Sequence, residues 1–175
     1  MTSLWPAIAL LLVFAATPLR AQAPAPPANA TLASDRAQLA NCLRENRTAT
    51  QSCIGSIAVA CVSATGVDRR AAEQGCARRE EAVWRERLMQ ALQLTGRPLD
   101  AGRRSRLAAL HVAWEGFIAQ KCAFYGSGQQ GGLQAGRQAG CELREVAKRA
   151  LELESAMAQV QAPTRRPQSP PQIIR

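Results

Sequence analysis

Apolar residues recur at steps of three and four along most of the chain, which is the spacing of one face of an α-helix. Between residues 32 and 160, the alternation of β-branched and polar residues that marks a strand is nearly absent. Ala, Leu, Arg, Glu and Gln dominate there, and these residues favour helices. We therefore predict an all-α fold, a small disulfide-stapled bundle of about five helices with disordered termini. The predicted helices cover residues 32–46, 50–63, 68–94, 100–123 and 137–159.

The three longer predicted helices each carry an apolar stripe that we expect to face the core. The third helix, with Asp68 as its N-cap, ends before Gly96 and Pro98. We take four side chains as the core anchors: Trp84, Leu88, Trp114 and Phe117. The full stripes are Trp84, Leu88 and Leu92, then Leu107, Leu110, Trp114, Phe117 and Lys121 or Cys122, then Leu143, Val146, Ala150, Leu153 and Met157.

Both ends of the chain look separate from this helical part. Residues 7–16 form an apolar run that is shorter than the about 20 residues of a membrane-spanning helix. The run predicts a signal peptide cleaved near Ala21 or Ala23, hence a periplasmic or secreted protein, with an uncleaved anchor as the alternative. The chain then divides into a signal peptide (1–21), a Pro/Ala linker (22–31), a folded domain (32–160) and a disordered basic tail (161–175).

Six cysteines follow the predicted signal peptide. An even number in an exported chain indicates three disulfides. Metal binding is not expected, since there is no C-x-x-C and His111 is the single histidine. Full pairing also leaves no thiol for a Cys–His nucleophile, so we expect His111 to lie partly buried beside Trp114. No cofactor is expected. The cysteines are Cys42, Cys53, Cys61, Cys76, Cys122 and Cys141.

Two further features could indicate an enzyme, and neither does. The close carboxylate pairs lie among arginines, which favours salt bridges on helix surfaces over a glycosidase dyad. These pairs are Glu80 with Glu81, Glu142 with Glu145, and Glu152 with Glu154. The glycine-rich stretch between Cys122 and Cys141 lacks the Gly-Lys-Ser/Thr ending of a phosphate-binding loop and follows a helix. We interpret it as a stapled connection whose tip, Gln129 and Gln130, is a possible partner contact.

The formal net charge is +9, and nearly all the cations are arginine. Arginine suits carboxylate and phosphate groups, so anionic partners such as lipid headgroups, acidic glycans or acidic clefts are candidates. The alternative is that most of these arginines cover solvated helix faces. Nucleic acid is not expected, because the few aromatic residues fall mainly on core stripes and the chain is predicted to be exported.

Several spacings in residues 40–155 resemble the LprI-like lysozyme inhibitor domain. In the second half the resemblance rests on a Trp eight residues before a cysteine, a Tyr–glycine stretch and a second cysteine. The first half is similar in its Cys–Cys pair followed by a Glu-Trp-Leu helix. The residues that match are Cys61, Cys76, Glu80, Trp84, Leu88, Leu107, Trp114, Cys122, Tyr125, Gly131, Gly132, Cys141, Arg149, Glu152 and Leu153.

The resemblance implies a non-enzymatic binding protein whose partner is lysozyme or another cell-wall hydrolase. Arg137, Arg103 and Arg104 are candidates for reaching an acidic cleft. The alternative function is an envelope interaction module that holds anionic polymer or lipid.

Six cysteines allow fifteen pairings. We favour sequence neighbours, Cys42–Cys53, Cys61–Cys76 and Cys122–Cys141, because each joins the end of one helical region to the next. The main alternative connectivity joins Cys42 to Cys61 and Cys53 to Cys76.

Overall fold

The computed structural model describes residues 28–66, 68–128 and 133–161. These residues form helices without any strand, which confirms the all-α prediction. A short 3-10 helix, Thr50–Cys53, lies between the first two α-helices. The α-helices are α1 (Ala28–Glu45), α2 (Ser56–Ala64), α3 (Arg69–Gly96), α4 (Ala101–Ser127) and α5 (Leu133–Gln161).

Several helix boundaries differ from the sequence prediction: α4 ends at Ser127 rather than at 123, and α5 begins at Leu133 rather than at 137. The predicted helix over 50–63 is broken at Gly55, whose φ of 96° lies in the left-handed region that glycine tolerates best. Helix α1 begins at Ala28, so the last residues of the predicted linker are helical. The predicted signal peptide and nearly all of the predicted tail lie outside the described residues.

The core lies where α3 packs against α5; α2 also packs on α3, and α4 packs on α5. Trp84 is fully buried and Leu88 is 1% exposed, as the α3 stripe predicts. Val146 and Ala150 of α5 are fully buried too. Asp68 caps α3, because its side chain accepts a hydrogen bond from the Ala71 N–H.

The predicted core stripe of α4 is partly wrong in its rotation. Phe117, taken as a core anchor, is 60% exposed, and Leu110 is 63% exposed. Trp114 is partly buried and packs against the core. Ile118 is buried in place of Phe117, and Cys122, one of the two residues predicted to end the stripe, is buried as well, because its disulfide turns this side of α4 toward α5. The error arose because apolar residues occupy more than one face of α4, and spacing alone does not select between them.

The carboxylate of Glu80 is fully buried, contrary to the expectation that it lies on a helix surface. Its two oxygens accept hydrogen bonds from the backbone N–H groups of Gly55 (2.7 Å), Ile57 (3.0 Å) and Ala58 (2.8 Å). The indole N–H of Trp84 donates a fourth, at 3.0 Å. Glu80 of α3 therefore acts as the N-terminal cap of α2, satisfying amides that have no partner within their own helix.

Ion pairs and disulfides attach the outer helices. Arg79 of α3 donates two hydrogen bonds, both 2.6 Å, to the buried Asp35 of α1. Bidentate pairing of this kind fixes orientation as well as distance. The structure pairs sequence neighbours rather than the rival set: the disulfides are Cys42–Cys53, Cys61–Cys76 and Cys122–Cys141.

Candidate functional site

An open groove of about 910 Å³ lies between α2 on one side and α4 and α5 on the other. Its apolar wall comes from α2 and the turn before it, and it includes Val59, which is 67% exposed. Tyr125 of α4, 59% exposed, stands at the opposite rim. The groove thus combines an apolar wall with an aromatic rim, which is a composition that protein-binding surfaces share.

Five charged side chains also line the groove. Lys121 and Glu145 neutralise each other, with Nζ and Oε1 3.1 Å apart. Arg137 and Arg144 are both exposed, and neither has a carboxylate within ion-pair distance in the described ranges. Glu73 supplies the remaining negative charge. The groove therefore presents two arginine guanidinium groups that can donate hydrogen bonds to a partner's carboxylates.

Arg78 and Arg85 of α3 differ from the arginines of the groove because they are already engaged. Arg78 bonds to Glu81 at 2.6 Å and also to Glu142, while Arg85 bonds to Glu81 and Glu115, both at 2.8 Å. Burial by itself lowers the pKa of Arg78, but its hydrogen bonds to the two glutamates outweigh that and raise it. These guanidinium groups hold the bundle together and are not free for a partner.

Glu81 and Glu142 were expected on helix surfaces, and this expectation is wrong. They are 3% and 8% exposed, since the network just described covers them. Gln138 donates a further hydrogen bond to Glu142 at 2.9 Å. Oxygens that are already paired in this way are poorly suited to general acid or base catalysis.

The close packing of α4 and α5 behind the groove depends on Gly126. A Cβ atom at this position would meet the Gln134 carbonyl oxygen and the Gln138 Cβ, each at 3.3 Å. Such a distance is tighter than ordinary van der Waals contact. Part of the glycine-rich stretch therefore serves helix packing, beside the disulfide between Cys122 and Cys141.

The other candidates from the sequence have different positions. Arg137 lines the groove, whereas Gln129 and Gln130 lie outside the described residues. Arg103 pairs with Asp100 at the start of α4, at 3.1 Å. Arg104 lines a separate groove of about 480 Å³ between the end of α3 and the start of α4.

His111 has the expected position, partly buried and stacked on Trp114 with their ring centroids 5.7 Å apart.

Sequence reasoning missed Arg144, Glu73 and the α2 wall of the groove. One signal was available for the wall. The run Ile57–Val62 is apolar throughout, which is more than a single buried helix face requires. Which helices border the run depends on tertiary packing, and spacing does not report that.

Neither a free thiol nor a metal-binding cluster occurs among the described residues. All six cysteines are in disulfides, so no thiol nucleophile is present. Within 28–66, 68–128 and 133–161, no three His, Cys, Asp or Glu side chains come close enough to hold a metal ion. None of the helices described is long and apolar enough to cross a membrane.

Residues 61–153 match the family model described as Lysozyme inhibitor LprI. The chain belongs to this family. The match begins at Cys61 and ends at Leu153, so it includes α3, α4 and most of α5, together with Arg137 and Arg144 of the groove. It is shorter than the resemblance over 40–155 and leaves out the Cys42–Cys53 disulfide. No curated protein and no solved structure matches the chain.

Proposed function

We propose that this LprI family member is an exported, non-enzymatic protein that inhibits a lysozyme-type cell-wall hydrolase by binding it through the groove. The observation that carries the proposal is the pair of arginines, Arg137 and Arg144. They share one groove, lie within the family match and have no ion-pair partner among the residues described. The apolar α2 wall and Tyr125 add the contact area that a protein partner needs.

The chemistry of the target supports this assignment. Glycosidases that cleave cell-wall polymers use two carboxyl groups on either side of the bond they break. A guanidinium group binds a carboxylate through two parallel N–H···O bonds, which makes arginine well suited to such a cleft. An inhibitor with two unpaired arginines at an open rim could occupy the carboxylates and also block the entry of substrate.

The net charge of +9 affects the rate of binding. A basic, animal-type lysozyme would meet this protein against a repulsive mean field, which slows association. Salt screens that long-range repulsion, with a Debye length of about 10 Å at 0.1 M. We therefore expect inhibition of a basic lysozyme to develop faster at moderate salt than at low salt.

A turbidity assay of cell-wall lysis tests the proposal, with purified mature protein in excess over lysozyme at both salt concentrations. We expect lysis to slow with the wild-type chain and to recover with the double variant Arg137→Ser/Arg144→Ser. The matched control is Arg47→Ser/Lys148→Ser, which removes the same charge from exposed positions outside the groove. Lysis at the uninhibited rate under both conditions would refute inhibition, and equal effects of the two double variants would refute the groove.

Export is the second part of the proposal. It rests on the apolar run at 7–16 and on three disulfides, which need an oxidising compartment. We expect the mature chain to begin at Gln22 or Pro24, which N-terminal sequencing of secreted or periplasmic protein would detect. A chain that keeps Met1 and stays with the membrane fraction would instead indicate an uncleaved anchor.

A further inference from the structure

Helix α4 exposes an unusual amount of apolar surface. Of the eight large hydrophobic side chains that are exposed in the described ranges, five belong to α4. Leu110, Phe117 and Phe124 recur at steps of seven, which places them on one helix face because seven residues nearly complete two turns. They are 63%, 60% and 75% exposed, and the row is about 21 Å long. We call these three residues the α4 row.

The α4 row is continued by positive charge at its N-terminal end. Arg103 and Arg106 lie on the same face, seven and four residues before Leu110. Arg103 is paired with the exposed Asp100, while Arg106 has no ion-pair partner among the residues described. The single acidic residue within α4 is Glu115, and Arg85 neutralises it at 2.8 Å.

We propose that the α4 row docks this protein on an anionic phospholipid surface. A helix with aromatic and aliphatic side chains on one face and cations at its border lies in the plane of a membrane interface. The aromatic rings of Phe117 and Phe124 would enter the headgroup boundary, while Arg103 and Arg106 bind phosphate groups. The site differs from the groove, and the proposal does not depend on lysozyme inhibition.

Charge favours a lipid surface over two other possible partners of the α4 row, a second copy of this chain and a basic lysozyme. A second copy of this chain would bring a like-charged surface, because each copy keeps a formal charge of +8 after the +9 chain loses Arg20 with the signal peptide, and the arginines lie beside the row itself. A basic lysozyme meets the same repulsion. An anionic membrane instead attracts every exposed arginine near the row, and that attraction falls with salt.

The test is co-sedimentation of the mature full-length protein with vesicles of phosphatidylcholine, with and without about one-third phosphatidylglycerol. We compare wild type with Leu110→Ser/Phe117→Ser/Phe124→Ser. The matched control is Val59→Ser/Met89→Ser/Leu94→Ser, which changes the three exposed large hydrophobics that lie outside α4. Thermal melts show that each variant is folded.

We expect binding to the anionic vesicles that weakens with salt, and little binding to pure phosphatidylcholine. The α4 triple variant should lose about tenfold or more in partition coefficient, and the control less than about threefold. Equal losses in both variants would overturn the proposal, as would unchanged binding by the α4 variant. Loss of binding only when residues 162–175 are removed would assign the membrane contact to the tail. Sedimentation equilibrium tests whether the α4 row instead forms a dimer interface. A wild-type dimer that becomes a monomer in the α4 triple variant, together with no lipid binding by the wild type, would assign the row to a second copy.

Discussion

The substitution Glu80→Gln tests the most specific contact in the fold. The Glu80 carboxylate is fully buried and accepts four hydrogen bonds, two at each oxygen. Glutamine keeps the shape but replaces one oxygen with an NH₂ group, which cannot accept. Either Ile57 and Ala58 or Gly55 and Trp84 would then have N–H groups facing another donor.

The expected cost follows from these contacts. Each hydrogen bond to a charged group is worth about 1.5–3 kcal/mol, and a buried donor left without a partner costs a similar amount. Two lost bonds therefore cost about 3–6 kcal/mol in the free energy of unfolding. For a domain of this size that lowers the melting temperature by about 10–25 °C.

Circular dichroism melts measure the shift, and amide hydrogen exchange locates it. We expect faster exchange at Gly55, Ile57 and Ala58, the amides that Glu80 caps. The control is Glu86→Gln on the same helix, whose partner is Arg36 and whose side chain is 43% exposed, so it should cost at most about 1 kcal/mol. A Glu80→Gln protein that melts within about 4 °C of wild type, with these amides still protected, would refute the assignment of Glu80 as the cap of α2.

Three further predictions address packing and charge. Trp84→Ala should lower the free energy of unfolding by about 3–5 kcal/mol and Phe117→Ala by less than about 1 kcal/mol, since the first ring is fully buried and the second is 60% exposed. Denaturant melts measure both losses, and losses of similar size would contradict the rotation of α4. Gly126→Ala should lower the free energy of unfolding by about 1–2 kcal/mol in the same melts, although the same change at an open helix position would raise it. A rise in the free energy of unfolding would show that α4 and α5 can separate without cost. The hydrogen bond from Arg36 holds the pKa of Glu86 below its usual value. The stability that this pair adds is therefore present at pH values above the ordinary glutamate pKa, and it is lost as the pH falls through the lowered pKa of Glu86 in the folded protein. Arg36→Gln should return that pKa to its usual range in an NMR titration, and an unchanged pKa would rule out Arg36 as the cause.

Local patterns predicted most of the helices and the core of α3 and α5. The positions of Trp84, Val146 and Ala150 follow from a period that one apolar face imposes on the sequence. Asp68 was readable as a cap because capping chemistry involves residues only three apart. In these cases the physical cause and the sequence signal lie within a few residues of each other.

The remaining features depend on contacts that are distant along the chain. A glutamate among arginines on α3 looks like a surface residue, and only the amides of Gly55 to Ala58, 22–25 residues earlier, make Glu80 a buried cap. The rotation of α4 follows from its disulfide to α5 and from close approach at Gly126. The groove likewise requires α2, α4 and α5 together. The sequence could therefore indicate single residues such as Arg137 as candidates, but it could not predict the surface that they share.

The order of the disulfides has a consequence for biogenesis. The first, third and fifth cysteines are each bonded to the next cysteine along the chain, at separations of 11, 15 and 19 residues, so no bridge encloses or crosses another. When such a chain enters an oxidising compartment N-terminus first, the second cysteine of each pair arrives at a time when its native partner is the single free thiol already there. Oxidation in order of arrival then produces the native set directly. We therefore expect an exported chain to reach its native disulfides with a thiol oxidant alone, and oxidative refolding with and without a disulfide isomerase would measure this.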